Sequence, residues 1–580
     1  GGPPGALAHN DDGVLAAVDG APHSPQARWQ ARLDAEGAAA TVLAAYREVG
    51  DPALLELFHG PFALALLDPA RGRALLAIDR MGIHPMVYAT PAGGLVFATS
   101  ADALRAHPRV AATVSPQGIY RYAVNYVSPA PYTIYDDCRK LLPAHALHWT
   151  GGSAQERRYW RIPYGEAAGN GGATPEALRE ELFTLLERAV ARARARWPAA
   201  ASVGAFLSGG LDSSAVSGIA QRGQTTPLPA FTIGFDGPDA AAGYDESAFA
   251  EVAARCFGLA HHSYRLGPGE VAELLPRLAR AFDEPFGNSS VVPAYFCARL
   301  ARDTGVDRLL AGDGGDEIFG GNKRYAEQTL LDLYHRLPAP VRGPMAAALT
   351  RLPPALAVSA LGKGQRYVAR ARKPMPERML GHDLGPYARD RLDSVFTSEV
   401  RAELDPEEPY ALWDRHWTEA GSTDPVYAML HLDTRVALAD NDLRKVSGAA
   451  ALAGVEVAYP LLDEELVSFA ARLPPAQLVK GRTLRPFFRQ AMQGFLPRDV
   501  LEKSKHGFGM PFVEWTRSDP RLRAMTDDAF ARQKRRGVFR AAFLDRVLAA
   551  RDAGGPRELT RLVWDILMLE LWWQARDPLS

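Results

Sequence analysis

Val203-Gly204-Ala205-Phe206-Leu207-Ser208-Gly209-Gly210-Leu211-Asp212-Ser213-Ser214 is the stretch on which the fold turns. Its first five residues are a short apolar run of the kind found in buried parallel strands, and a small-residue helix is expected from about Ser213. Strand, glycine loop and helix in that order gather successive backbone N–H groups and a helix N-terminus around one point. Gly209 and Gly210 let the backbone approach an anion closely, and the hydroxyls of Ser208, Ser213 and Ser214 add donors, so the loop is built for phosphate. It lacks the Gly-Lys-Ser/Thr ending of a Walker A loop, and Asp212 inside an anion nest repels phosphate unless a cation stands between them. Magnesium is the cation implied.

Working outward, Thr174-Pro175 offers an N-cap and a proline at the first helical position. Leu178, Leu182, Leu185, Leu186 and Val190 then share one helix face. Residues 230–235 and 308–311 read as further strands separated by helical pattern, which predicts a doubly wound parallel sheet. Residues 337–424 are rich in Pro, Arg and Ala with helical stretches and no strand, and the remainder to Trp573 is mostly helical. Toward the N-terminus, apolar runs at 62–67, 74–78, 86–89 and 95–98 alternate with turn signals such as Asp68-Pro69 and Arg71-Gly72, the spacing of hairpin-connected strands. That region ends near Trp160, and the Gly-rich stretch 165–172 reads as a linker. The expected organisation is an α/β chain with a first domain over 1–160, a linker over 161–173 and a second domain over 174–580 carrying a helical insertion at about 337–424.

With 66 Lys+Arg against 67 Asp+Glu in 580 residues, the chain has no dominant basic surface for phosphate backbones, so no nucleic-acid partner is expected. Cys138, Cys256 and Cys297 form neither a disulfide framework nor a zinc pattern, and no run approaches a membrane span. A cytoplasmic protein with no membrane partner is the expectation. His261, His262 and His84 lack partners at ligand spacing and read as ordinary polar residues. Lys534-Arg535-Arg536 reads as a solvated helix end, Leu562, Ile566, Leu569 and Trp573 as a core-facing helix stripe, and Cys256 and Cys297 as small buried hydrophobes.

The phosphate loop resembles the PP-loop of the ATP pyrophosphatases, which split ATP between its α and β phosphates. Three further stretches, together with Asp283-Glu284-Pro285-Phe286, follow the order and spacing of the asparagine synthetase family: Ala311-Gly312-Asp313-Gly314-Gly315-Asp316-Glu317-Ile318-Phe319-Gly320-Gly321, Gly454 to Asp463, and Lys503-Ser504-Lys505-His506-Gly507-Phe508-Gly509. Leu57-Phe58-His59-Gly60-Pro61-Phe62 and Ile78-Asp79-Arg80-Met81-Gly82-Ile83-His84-Pro85 are similar to that family's N-terminal glutaminase domain. The resemblance implies an Ntn-hydrolase-like αββα domain followed by a PP-loop ATP pyrophosphatase domain, acting on ATP with Mg2+. Gly312 to Gly321 is expected to be a second flexible loop, facing the PP-loop across adjacent strands. The resemblance makes Asp316 a second magnesium ligand beside Asp212, and gives Leu207, Ile233, Ala311 and Gly312 to the nucleotide, as adenine packing or main-chain bonds. Lys505 and Arg485 match basic positions that neutralise charge as pyrophosphate leaves. Asp313 stands where asparagine synthetases commonly carry Glu and β-lactam-forming relatives carry Tyr, which disfavours a β-lactam former.

Working glutaminase domains of this family begin with a cysteine nucleophile, whereas this sequence opens with Gly1-Gly2. Where the family has an Asn-Gly-Glu turn, the chain reads Val18-Asp19-Gly20-Ala21, and a carboxylate there repels an oxyanion. Where the family has Ser-Asp-Thr-Glu, the chain reads Ala38-Ala39-Ala40-Thr41. A degenerate glutaminase domain joined to an adenylating domain is the pattern of lasso peptide cyclases, which join an Asp or Glu side chain of a precursor peptide to that peptide's own N-terminal amine. That resemblance implies a core-peptide substrate, helped by a leader peptidase and a leader-recognition protein, with 337–424 placed to cradle the peptide. Two other readings stay open at this point: an amidotransferase using ammonia or glutamine on a small carboxylate, and a nucleotide-binding scaffold without turnover.

Overall fold

Strict alternation along two neighbouring strands builds the N-terminal layers. The computed structural model describes residues 6–10, 12–166, 173–236, 244–350, 360–380, 387–503 and 509–576. Its first strands are β1 (Leu7–His9), β2 (Leu15–Gly20), β3 (Phe62–Asp68), β4 (Arg73–Ile78), β5 (Val87–Ala89), β6 (Val96–Ala98), β7 (Arg139–Lys140), β8 (His145–Thr150) and β9 (Ser153–Arg158). They form an antiparallel six-stranded sheet in the order β1-β2-β3-β4-β8-β9 and a three-stranded sheet in the order β6-β5-β7. On β3, Phe62, Leu64 and Leu66 face helices Ala27–Glu36 and Ala38–Leu54, while Ala63 and Ala65 face the smaller sheet through Met86 and Tyr88. The other side of the smaller sheet meets helix Ala101–Arg105 through Val87, Ala89 and Leu104. This is the expected αββα layering, with the four runs between 62 and 98 found as β3 to β6.

Helix Pro175–Ala195 starts as its sequence dictates, with Thr174 accepting from the Ala177 N–H and Pro175 in the first turn. Its buried face carries Leu178, Leu182, Leu185, Leu186 and Val190. The second sheet follows: β10 (Val203–Phe206), β11 (Pro229–Phe235), β12 (Ala260–Leu266), β13 (Arg308–Leu310) and β14 (Glu456–Ala458), all parallel, in the order β12-β11-β10-β13-β14. The strand order reverses between β10 and β13, which is where doubly wound sheets open a crevice at their carboxyl ends. Among the described residues, 337–424 contains helices Ala339–Thr350, Ala360–Ala371, Ser398–Glu403 and Glu408–Glu419 and no strand.

The expected linker spans 161–173. Residues 167–172 lie outside the described residues, but Ile162 is buried, and Tyr164 stacks at 5.3 Å on Tyr427. One continuous apolar core joins Ile119, Tyr122 and Tyr135 to Leu182, Phe231 and Leu567 across this boundary, while the six-stranded sheet keeps separate clusters on its two faces. Asp283-Glu284 supplies polar ties across the same boundary. Glu284 accepts from Ile134 N at 2.7 Å and pairs with Lys140 at 2.5 Å, and Asp283 accepts from Ala101 N at 2.6 Å.

Other expectations are corrected by packing. Cys256 is exposed, because the buried face of helix Ser247–Phe257 is Ala250, Ala253 and Ala254, and position 256 falls off it; Cys297 is buried as expected. Arg536 is no solvated helix end: it pairs at 2.7 Å with the fully buried Glu570. The C-terminal helix Leu562–Gln574 is buried on nearly every side, including Trp572, rather than along one stripe. His261 accepts or donates at 2.9 Å to Thr232 Oγ1, and His262 stacks on Phe231, so both are ordinary polar residues as read. Among the described residues, no helix is long and apolar enough to cross a membrane.

Candidate active site at the sheet crevice

A cavity of about 520 Å³ opens at the β10/β13 switch point. Its floor is the loop after β10. Ser208 and Ser213 hydroxyls lie 3.0 Å apart, Ser208 N donates to Ser213 Oγ at 3.2 Å, and Gly210 N donates to Ser208 Oγ at 3.3 Å. Gly209 is left-handed at φ +66°, and a Cβ there overlaps Ala250 N, so only glycine fits. The helix begins at Leu211, two residues earlier than read, which puts Asp212 in its first turn. Ser208, Gly210, Asp212 and Ser213 line the cavity. Ser214 does not: it is fully buried in the helix, and its hydroxyl has no hydrogen-bond partner among the described residues.

The second loop, expected to be flexible, is folded. Gly314 and Gly320 are both left-handed and bracket a one-turn helix, Gly315–Phe319, that buries Glu317, Ile318 and Phe319. Gly312 lies so close to the first loop that a Cβ comes within 2.6 Å of Ser213 N. Cβ atoms at Gly315 and Gly321 overlap the carboxylates of Asp212 and Asp316 respectively. The glycines therefore serve close approach of the two loops.

Arg485 joins the two acids. Its guanidinium lies 2.5 Å from Asp212 Oδ1 and pairs also with Asp316. The side chain is 5 % exposed, and its backbone is held left-handed at φ +53°, unusual for a non-glycine residue. Two carboxylates already converge on one cation here, and the oxygen-only donor set fits magnesium chemistry, so Asp212 and Asp316 are the residues that would hold it.

Asp313 lines the cavity beyond them, and burial pushes its carboxyl up to about 6, with Lys445 working in the opposite direction. Lys445 Nζ pairs with Asp442 Oδ1 at 2.6 Å. Asp442 and Asn441 end a π-helical stretch, Thr434–Asp442, a wide-turn geometry that recurs at functional sites. Asn288 donates to Asn441 at 3.0 Å, and Arg324 pairs with Asp433 at 3.0 Å on the same wall.

Ile233, Leu207 and Gly312 line the cavity. Leu207 offers packing rather than a free main-chain donor, since its N–H donates to Phe231 O at 2.9 Å while its carbonyl accepts from Thr232 at 2.6 Å. Ala311 is corrected: it is fully buried, donates to Ala458 O at 2.9 Å, and is absent from the lining. Lys505 lies outside the described residues. Glu246, Asn441, Asp442, Lys445 and Lys503 line the cavity without having been read from sequence. Only Lys503 stood inside a quoted motif. No residue of 337–424 lines the cavity among those described, so the cradle expected of that segment is not part of this wall.

A larger cavity, about 1100 Å³, lies between the N-terminal sheet and helix Pro175–Ala195. Asp19, the residue at the expected oxyanion turn, accepts or shares a proton with His84 Nδ1 at 3.1 Å there. The Ala38-Ala39-Ala40-Thr41 stretch is the first turn of helix Ala38–Leu54, with Ala39 and Thr41 fully buried and no acid in it.

A parallel sheet with a serine- and glycine-rich loop at its switch point and two acids facing it defines an ATP-cleaving ligase. The comparisons agree: residues 181–574 match the model of asparagine synthase, and residues 24–160 that of the glutamine amidotransferase domain. The chain belongs to the asparagine synthase family, whose members are ATP-dependent, AMP-forming carbon–nitrogen ligases, and it is an enzyme of that class with an N-terminal Ntn-type amidotransferase fold. It is 29% identical over 552 residues to a putative glutamine-hydrolysing asparagine synthetase of Mycobacterium tuberculosis, covering 93% of this chain and 79% of that protein. Asparagine synthetase 1 of Bacillus subtilis is 24% identical over 484 residues, covering 82% and 72%. Amidase chry2 of Gibberella zeae is 25% identical over 313 residues, covering 51% and 45%.

Proposed function

We propose that the chain is a lasso peptide macrolactam synthetase. It adenylates an Asp or Glu side-chain carboxylate of a core peptide, and the peptide's N-terminal amine then closes an isopeptide bond. The observation that carries this reading is Asp19. A carboxylate paired to His84 stands where a glutaminase needs an oxyanion donor, which leaves an AMP-forming ligase without its own ammonia and calls for an amine on the substrate.

In the first step a substrate carboxylate oxygen attacks the α-phosphorus of ATP, and the bond to the β-phosphate oxygen breaks, giving acyl-AMP and pyrophosphate. Ser208, Ser213 and the N–H groups of the loop bind the leaving phosphates, and Arg485 offsets the charge that develops there. Magnesium, when held by Asp212 and Asp316, supplies positive charge to the polyphosphate. In the second step the amine attacks the acyl carbon and AMP departs. The amine proton passes to Asp313, whose raised pKa suits a base working near neutral pH. Holding both ends of one peptide together supplies the effective molarity that ring closure needs. Lys505, by its place in the family motif, adds a second cation for the first step. A leader peptidase and a leader-recognition protein are the partners this reading brings.

The test is to incubate the full chain with ATP, magnesium and a leaderless peptide carrying Gly first and Asp or Glu several residues later. The expected product is the peptide lighter by one water, with AMP and pyrophosphate in equal amount. ADP as product, or an unchanged peptide together with amide made from added ammonium, overturns the reading in favour of another kinase-like or ammonia-using activity.

A further inference from the structure

Lys503 and Glu246 have no part in the reaction as described, yet both line the nucleotide cavity. Their side chains are only 7 % and 14 % exposed. Lys503 Nζ lies 3.0 Å from Glu246 Oε1, donates to the Ser208 carbonyl at 3.3 Å, and sits 4.8 Å over the Phe249 ring. These groups come from three stretches of chain. Ser208 opens the phosphate loop, Glu246 and Phe249 stand at the start of helix Ser247–Phe257, and Lys503 follows helix Arg498–Glu502. The same helix start touches the loop again at Gly209, where only glycine clears Phe249 and Ala250.

An ammonium brought out of water pays a desolvation cost, and burial does lower the pKa of Lys503. A neutral side chain would tie the loop down without that cost. An ammonium also has three protons to donate, and Glu246 and Ser208 accept two of them. Among the described residues the third has no acceptor, which leaves it for whatever fills the cavity on the side of the phosphate loop. We propose that Lys503 is a pyrophosphate-binding residue that contacts the phosphoryl oxygens beyond the α position, and that Glu246, by sharing its charge, keeps the product from being held too tightly. This rests on the ATP-cleaving reading of the same cavity.

Inorganic pyrophosphate and AMP, each titrated calorimetrically into the full chain with magnesium, separate the two. Lys503→Met is expected to weaken pyrophosphate about tenfold or more, as loss of a charge-assisted hydrogen bond does, and to leave AMP unchanged. Lys503→Arg is expected to stay within about threefold of the parent, while Glu246→Gln binds pyrophosphate several-fold more tightly, since the ammonium then has no competing anion. The opposite signs carry the test, because a merely structural clasp loses affinity from either side. Weaker pyrophosphate binding in Glu246→Gln overturns the proposal even if Lys503→Met fails to fold, and so does pyrophosphate binding that ignores Lys503→Met. A parent chain that binds neither ligand overturns the nucleotide reading itself.

Discussion

The two cavities described above hold similar inventories of charge and arrange them differently. In the larger one, between the N-terminal sheet and helix Pro175–Ala195, the charges answer one another. Glu464 receives His59 Nδ1 at 2.5 Å, the Gly60 N–H at 3.0 Å and Arg80, and Arg192 lies 2.9 Å from both Asp463 and Glu465. Burial works to raise the pKa of Glu464, and His59 and Arg80 more than offset it. His23 beside them is driven down to about 4 by burial and is neutral at physiological pH. In the smaller cavity, two carboxylates share one guanidinium and a third, Asp313, is held near 6. Volume would have chosen the larger cavity; three carboxylates crowded at the cleft, one of them held near 6, choose the smaller. A buried carboxyl with a raised pKa in a cleft marks a functional candidate, whereas the paired charges of the larger cavity tie its walls together.

The contrast can be broken most directly at the paired acids. Asp212→Asn or Asp316→Asn is expected to cut pyrophosphate release by roughly a thousandfold or more, measured with a coupled phosphate assay. On the proposed reaction, Asp313→Asn is expected to lower ring closure by about a hundredfold. In the parent, the carboxyl keeps its proton below about 6 and becomes a base above it, so the rate rises with pH through that value; the variant should lack this limb. The linkage has the reverse sign for stability. A folded pKa raised from 3.8 means the fold favours the protonated form, so stability from this group declines as pH rises toward 6, and Asp313→Asn should gain melting temperature at pH 8 relative to pH 5. In the larger cavity, Glu464→Ala is expected to cost about 3–5 kcal/mol of stability, the usual penalty for stranding one side of a buried pair, while turnover per folded molecule holds. Loss of turnover without loss of stability would erase the contrast. The smallest effect is expected of Asp19→Asn, which restores the family's residue at that turn. Ring closure and glutamate release from glutamine should both stay as in the parent, and glutaminase activity would show that one residue had silenced the domain.

How much of this could be read beforehand follows from the range of the interactions. β3 to β6, β10, β11, β13 and helix Pro175–Ala195 were legible because alternation, apolar runs and caps are local signals. β12 was missed because Ala-His-His-Ser-Tyr-Arg-Leu is an edge strand, half exposed, and has neither the apolar run of a buried strand nor clean alternation. β14 escaped because Glu456–Ala458 opens on an exposed glutamate and offers only two buried apolar residues, with no apolar run to set it off. At the site, Asp212, Asp313 and Asp316 were found through their motifs. Arg485 was given to the phosphates, and its hold on both acids appears only when it meets Asp212, 273 residues away in sequence, and Asp316 in the folded chain. Asp442 ends a π-helical stretch that no repeat of 3.6 reveals, and Lys445 sits in the first turn of the helix that follows it.

The ties at Glu284 and Glu464 bear on redesign. Grafting a relative's glutamine-hydrolysing unit onto residues 174–580 asks for more than a join at the linker. The donor must present an amide to Glu284 and an imidazole to Glu464, or two carboxylates are stranded in a dry seam and the hybrid comes apart before it can be assayed.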